Sequence, residues 1–211
     1  YMKHAPESLA VIPDDYEDCG IFFDQFPVGL PSLEERPQVT SVKFTDLDGD
    51  GDNDDIIVTD NSNSAVSWLH LAEDGETWEE QIISTAPAPV NSTPVDIDGD
   101  GDIDLAISAM GYMHPNDELI GEFHLLINQG DGTFEKKVLV KDSPRITDCA
   151  PADFDGDGDI DFILAMFGWR YTGAIGYLEQ LDGGEFRLKI IMEINGCMQV
   201  VVNDINGDGL P

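Results

Sequence analysis

The stretch Asp153-Phe-Asp-Gly-Asp-Gly-Asp-Ile-Asp161 constrains this chain more than any other, because the chain contains it repeatedly. Copies stand at Asp46-Leu-Asp-Gly-Asp-Gly-Asp-Asn-Asp54 and at Asp96-Ile-Asp-Gly-Asp-Gly-Asp-Ile-Asp104. A fourth begins at Asp204-Ile-Asn-Gly-Asp-Gly-Leu210, just before the final Pro211. Self-similarity at roughly fifty residues marks a repeat architecture, in which each unit buries its apolar faces against its neighbours.

Carboxylates at positions 1, 3, 5 and 9 of a short loop are hard oxygen ligands, the set that suits calcium. Glycines at positions 4 and 6 let the backbone turn tightly enough for those side chains to converge. Position 7 is Asp52, Asp102 and Asp159 in three copies but Leu210 in the fourth, so its contribution is expected to be the backbone carbonyl. The candidate ligands are Asp46, Asp48, Asp50, Asp52 and Asp54 in the first copy, and Asp96, Asp98, Asp100, Asp102 and Asp104 in the second. The third supplies Asp153, Asp155, Asp157, Asp159 and Asp161, and the partial fourth Asp204, Asn206, Asp208 and Leu210. Three complete Ca2+ sites and part of a fourth follow. An EF-hand would need a bidentate acid at position 12, where this chain has Ile57, Ile107 and Leu164. A stacked nonapeptide β-helix would repeat every nine residues, which the wide separation of the copies excludes. An acidic turn that binds nothing is the bland alternative, and it leaves closely packed like charges unrelieved. No His or Cys falls within these loops, which argues against zinc or redox chemistry and for structural metals.

Two hundred and eleven residues suffice for one sizeable domain or two small ones. Acidic residues number 43 against 10 basic ones, a net charge of −33, and fifteen of the acids lie in the three complete motifs. Bound calcium would cancel part of that imbalance. The remainder excludes nucleic acid and anionic membrane as partners, since both require basic patches. No apolar run approaches the 18 or so residues that cross a bilayer, so no membrane insertion is expected. Calcium loops on so acidic a chain suit an extracellular or periplasmic protein, secreted or at the cell surface. The absence of an initiator Met and a signal peptide, with a motif broken at the end, reads as a mature or fragmentary piece of something longer. Cys19, Cys149 and Cys197 make an odd count. A Cys149–Cys197 bridge and buried free thiols both remain open.

Residues 1–37 lie outside the repeat: acid- and Pro-rich, with Phe22, Phe23 and Phe26 expected to pack against it and His4 expected at the surface. Residues 38–211 divide into units of about 38–88, 89–144 and 145–195 and a partial unit at 196–211. Short β-branched and aromatic runs with Asp-Gly turns predict four strands per unit. They fall at 39–45, 55–59, 65–71 and 78–84; at 90–95, 105–110, 122–128 and 134–140; and at 146–152, 162–167, 174–180 and 186–193. The chain is therefore expected to be all-β. From the Asp of each Asp-Gly turn to the next acidic loop is 22 residues three times over: 74 to 96, 131 to 153 and 182 to 204. All length variation thus falls between the second and third strands. In an up-and-down four-stranded unit the acidic loops and Asp-Gly turns share one end. The variable loops lie opposite, where binding usually resides.

A strand, DxDGDGxxD, a strand ending in Phe167-Gly168, then Gly173-Ala174, resembles the FG-GAP (VCBS-type) repeat of integrin α-chain β-propellers and of secreted bacterial proteins. The second unit carries Met110-Gly111 instead, and the first departs with Asp60-Asn61. The resemblance implies β-propeller blades of four antiparallel strands with calcium in the hairpin loops. About three and a half blades of a commonly seven-bladed ring are expected, closed by missing blades or a partner chain. The expected function is a calcium-stabilised binding or scaffold module for protein or glycan partners on the variable-loop face. Tyr112, His114, Asp117, Trp169, Arg170 and Tyr171, with Asn116 and Glu118, are the candidate contacts, aromatics and Arg being typical hot spots. Packing of blade on blade is the competing explanation for them. An enzyme, of the calcium-dependent polysaccharide-lyase type, would need a base beside a charge-neutralising group. Only His114 with Arg170 could be forced into that role, and no spacing supports it. Some bacterial proteins of this type carry a cytochrome module upstream, so an accessory propeller of a cytochrome-containing protein is a third reading. It would need a haem motif elsewhere, since no CxxCH occurs.

Overall fold

Runs such as Asp-Leu-Ala-Ile-Ser-Ala, buried at every position, are strands covered on both faces, as expected when one sheet is sandwiched between two others. The computed structural model describes residues 37–72, 74, 76–207 and 211. The aromatic group at Phe22, Phe23 and Phe26, together with His4, Cys19, Asp208 and Leu210, lies outside the described residues. The first sheet comprises β1 (Val39–Thr45), β2 (Asp55–Asp60), β3 (Ala65–Leu71) and β4 (Trp78–Thr85). The second comprises β5 (Pro89–Val95), β6 (Asp104–Ala109), β7 (Gly121–Asn128) and β8 (Phe134–Ser143). The third comprises β9 (Arg145–Ala152), β10 (Asp161–Phe167), β11 (Ala174–Leu181) and β12 (Glu185–Glu193). Each sheet is antiparallel with its strands in chain order, and no helix occurs among the described residues. All twelve predicted strands are present, with ends displaced by no more than three residues. Residues 196–207, the predicted partial fourth unit, carry no strand.

The pleat sends alternate side chains to opposite faces, so a sheet can pack on a neighbour at each face. Ile57, Val66 and Trp68 of the first blade meet Leu105, Ile107 and Leu126 of the second in one core. Ala106, Phe123 and Leu125, one residue out of phase, meet Phe162, Leu164, Met166 and Leu178 of the third in another. The second blade is thus a layer between two cores. At the outer end of the stack, β1 and β2 pair Phe44 with Ile56, on the face opposite to Ile57, and Phe44 remains 65% exposed there. The three sheets stand side by side without closing a ring.

Innermost strands are tied to each other by polar side chains at corresponding positions. Ser41 Oγ donates to Asn91 Oδ1 (3.2 Å), and Asn91 Nδ2 donates to Asp148 Oδ1 (2.7 Å). Asp148 Oδ2 in turn accepts from the Val200 N–H (3.1 Å), which brings the segment after β12 into the series. Cys149 and Cys197 are both free thiols, so the bridge held open above does not form. Burial pushes the Cys149 thiol up to about 12, leaving it an inert core residue.

The variable connections are 61–64, 110–120 and 168–173. At the base of the third, Gly168 and Gly173 lie back to back: a Cβ on Gly168 would collide with the Gly173 backbone. The backbone of Gly168 and Gly173 also accepts from Gly196 and Ile194 (3.1 and 3.0 Å). The Phe-Gly and Gly-Ala pairs therefore close the loop and fasten it to the chain leaving the blade. In the first blade, Asp60 replaces that device, its carboxylate accepting from the N–H groups of Gln38, Ser62 and Asn63. We expect Gly168→Ala to cost about 2 kcal/mol or more, because rigid backbone must shift. Gly183→Ala, in an open hairpin with φ +91, should cost about 1 kcal/mol from its left-handed backbone alone. Urea denaturation of the two variants measures the difference, and equal losses would contradict the account of the loop base.

Candidate metal centre

In all three complete loops the aspartates fold the backbone before any ion is considered. The first carboxylate accepts from the N–H groups three and five residues on. Asp46 takes those of Gly49 and Gly51 (2.8 and 3.0 Å), Asp96 those of Gly99 and Gly101 (2.8 and 3.2 Å), and Asp153 those of Gly156 and Gly158 (2.7 and 3.1 Å). The third and fifth carboxylates each accept from the N–H two residues ahead, as with Asp48 and Asp50. These turns place the glycines at positive φ, +76 for Gly49 and +98 for Gly51, with near-identical values in the other copies. The fourth copy begins in the same way, Asp204 accepting from the Gly207 N–H at 2.6 Å.

Convergence follows from those turns. Asp46, Asp48 and Asp50 each offer a carboxylate oxygen within 4.8 Å of the others; so do Asp96, Asp98 and Asp104, and Asp153, Asp155 and Asp157. Positions 1, 3, 5 and 9 are all represented among these sets. Asp102, at position 7, turns toward the adjacent hairpin, where a Cβ on Gly130 would lie 2.6 Å from its Oδ2. Crowding leaves an electrostatic mark. The Asp155 carboxyl is raised by desolvation and by Asp157, Asp161 and Asp153 around it. A small all-oxygen cluster with mutually opposed charges fits a hard divalent cation such as calcium. Asp46, Asp48 and Asp50 and their counterparts would hold it; its chemistry there is charge neutralisation and cross-linking of the loop.

The carboxylate that heads the second strand of each blade is buried and faces inward. Asp104 accepts from the Ile97 N–H (3.0 Å) and, through its other oxygen, from the Asn128 N–H on β7 (2.7 Å). Asp161 accepts from Gln180 N–H (2.8 Å) and Tyr177 hydroxyl (2.7 Å) on β11. In the first blade the equivalent residue is Asp55, which accepts from the Leu47 N–H (2.6 Å) and the Trp68 indole Nε1 (2.7 Å). Asp54, the predicted ninth-position ligand, is exposed, because this copy carries one extra residue before β2. The available signal was hydrophobic phase: Ile56 follows Asp55 as Leu105 follows Asp104 and Phe162 follows Asp161. Burial raises the Asp55 and Asp104 carboxyls, against the pull of the hydrogen bonds they accept.

At the opposite end, Tyr112 (54%), Trp169 (50%) and Tyr171 (84%) are exposed, and the His114 ring lies 5.0 Å from that of Tyr112. Asp117 turns sideways instead, to the loop of the next blade. Its Oδ1 accepts from the N–H groups of Arg170 (2.8 Å) and Tyr171 (3.0 Å) and from the Thr172 hydroxyl (3.3 Å). Those bonds hold its carboxyl below the usual range. The Arg170 carbonyl accepts from Asn195, and Glu118 and Asn116 bond within their own loop. Arg145, which sequence reasoning missed, is fully buried at the start of β9. It donates through Nη1 to the carbonyls of His114 (2.8 Å) and Tyr112 (3.4 Å), with its guanidinium 4.5 Å from the centre of the Phe167 ring. Arginines are seldom buried, and nothing in the spacing singled this one out.

The first-copy register is open to a direct check in chelator, where metal plays no part. Asp55→Asn should cost about 2–3 kcal/mol, since an amide cannot accept at both oxygens and its NH2 would face buried donors. Asp54→Asn should stay within about 0.5 kcal/mol. Chemical denaturation of both variants reads this, and a reversed order would refute the assignment of Asp55.

Against known proteins, no curated protein matches this chain. The family described as FG-GAP-like repeat matches residues 46–107 and again 115–164, together more than half of the sequence and spanning all three complete acidic loops. With twelve strands in three four-stranded sheets and a loop of the same geometry in each, the chain belongs to the FG-GAP-like repeat family.

Proposed function

We propose that this chain is a calcium-stabilised, extracytoplasmic β-propeller module that binds or scaffolds protein or glycan partners through its variable loops. The observation that carries the reading is the convergence of three carboxylates within 4.8 Å in each of three loops with one hydrogen-bonding pattern. Nine aspartates held this way in a chain of net charge −33 favour a compartment where calcium is plentiful. Division of labour between the two ends supports the binding role. The acidic end is regular, whereas the other end carries connections of differing length with exposed aromatics. Apolar side chains left open on the first blade's outer face, Phe44 among them, call for cover by further blades or by a partner chain.

Extracellular calcium modules bind at roughly 10⁻⁴ to 10⁻³ M. At ten times its dissociation constant each ion adds about 1.4 kcal/mol, so three sites add about 4 kcal/mol. For a chain of this size that corresponds to roughly 10 °C in melting temperature. Thermal melting in excess EDTA should therefore fall about 10 °C below melting in millimolar calcium. Magnesium should restore less, since it demands a tighter octahedral shell. Melting curves that coincide with and without chelator would reject the proposal.

A further inference from the structure

The loops at 110–120 and 168–173 come from different blades, yet polar contacts make them one body. Asp117 of the first loop gathers two N–H groups and a hydroxyl of the second. Arg145, at the head of β9, grips the carbonyls of Tyr112 and His114 from below while stacking on Phe167, the last residue of β10. Asn195 closes the far side, accepting from Gly173 N–H (3.1 Å) and donating to the Arg170 carbonyl. The backbone under Tyr112, Trp169 and Tyr171 is thus fixed while their rings stay in solvent, Tyr171 at 84% exposure. Rigid, open aromatic rings have their ordering entropy already met, which is the condition for binding a ligand of few contacts.

We infer that these two loops form a single preorganised shelf for an uncharged glycan, with Trp169 and Tyr171 stacking on pyranose faces and His114 and Arg170 within reach of hydroxyls. The inference rests on the proposed role of the variable-loop end as the binding face. Size and charge select the ligand class. Loops of eleven and six residues present five exposed apolar side chains, Met113 and Leu119 being the other two. Together the seventeen residues fall short of the roughly 20–30 a side in a stable protein interface, but accommodate one to a few sugar rings. Aromatic faces attract the weakly positive C–H surface of a sugar. A net charge of −33 repels acidic ligands and leaves neutral ones unaffected.

The test titrates the full chain in calcium with neutral cello-, xylo-, manno- and galacto-oligosaccharides and with an oligouronate, following tryptophan emission and saturation-transfer NMR. At least one neutral oligosaccharide should give a saturable signal. Trp169→Ala and Tyr171→Ala should each weaken it about tenfold, the worth of one aromatic stack. Asp117→Ala, which removes the acceptor of all three bonds, should weaken it too by freeing the 168–173 loop, seen as faster amide exchange there. Circular dichroism confirms folding, since both aromatics are exposed. Four results overturn the inference: no oligosaccharide binds, binding survives both aromatic substitutions, the uronate is preferred, or these residues serve a protein partner while glycans fail. The calcium-dependent melting shift is a separate readout. If it is present and glycans do not bind, the shelf alone is wrong; if it is absent, the calcium-scaffold reading fails by itself.

Discussion

The buried carboxylate at the head of the second strand is the interaction on which each blade depends. Asp55, Asp104 and Asp161 are the residues where the flexible acidic loop meets the packed sheet. One oxygen reaches back to the loop, as Asp104 does to Ile97, and the other reaches sideways to the third strand, as to Asn128. An isolated carboxylate could not be kept at about 1% exposure without such donors, because its desolvation would outweigh anything packing contributes. Donors and charge therefore specify each other, and the loop cannot change register without stranding both. Asn128 extends the link, donating its side-chain amide to the Leu47 carbonyl of the preceding blade (2.9 Å), so acidic loop and neighbouring hairpin are positioned together.

Much of this was legible beforehand for a simple reason. The acidic motif is a local instruction, written in Asx turns and left-handed glycines that span no more than nine residues. Strands such as 65–71 were readable because alternation and Asp-Gly turns bracket them tightly. What stayed hidden depends on the third dimension. Asp54 and Asp55 are adjacent and chemically alike, and only the phase of Ile56 and Ile57 against the neighbouring sheet decides which carboxylate turns inward. Asp117 read as a surface contact because its three donors lie more than fifty residues downstream. Arg145 followed the same logic in reverse: its partners are backbone carbonyls, which every residue has and no composition advertises.

The two ends of the blades solve opposite problems. At the acidic end the geometry repeats, because the same aspartate-to-backbone turns and positive-φ glycines recur in each loop. The other end has no such repeat, and its connections of four, eleven and six residues are closed at the base by whatever device is at hand. The third blade uses apposed glycines, the first a carboxylate accepting from three backbone groups. Loop length can change above such a base without disturbing the cores, because the entropy of a longer surface loop grows only slowly.

Between the two ends runs the series Ser41, Asn91 and Asp148, one position per inner strand, continued by Val200 in the segment after β12. Apolar faces alone would permit neighbouring sheets to slip along each other, since burial is nearly indifferent to small translations. Directional bonds at the hub are not indifferent, so they act as a pawl that stops shear in both senses. Enlarging such an assembly by one more sheet then requires only that the newcomer present a donor or acceptor at the same height. Repeats of unequal length can be accommodated in this way around a shared axle.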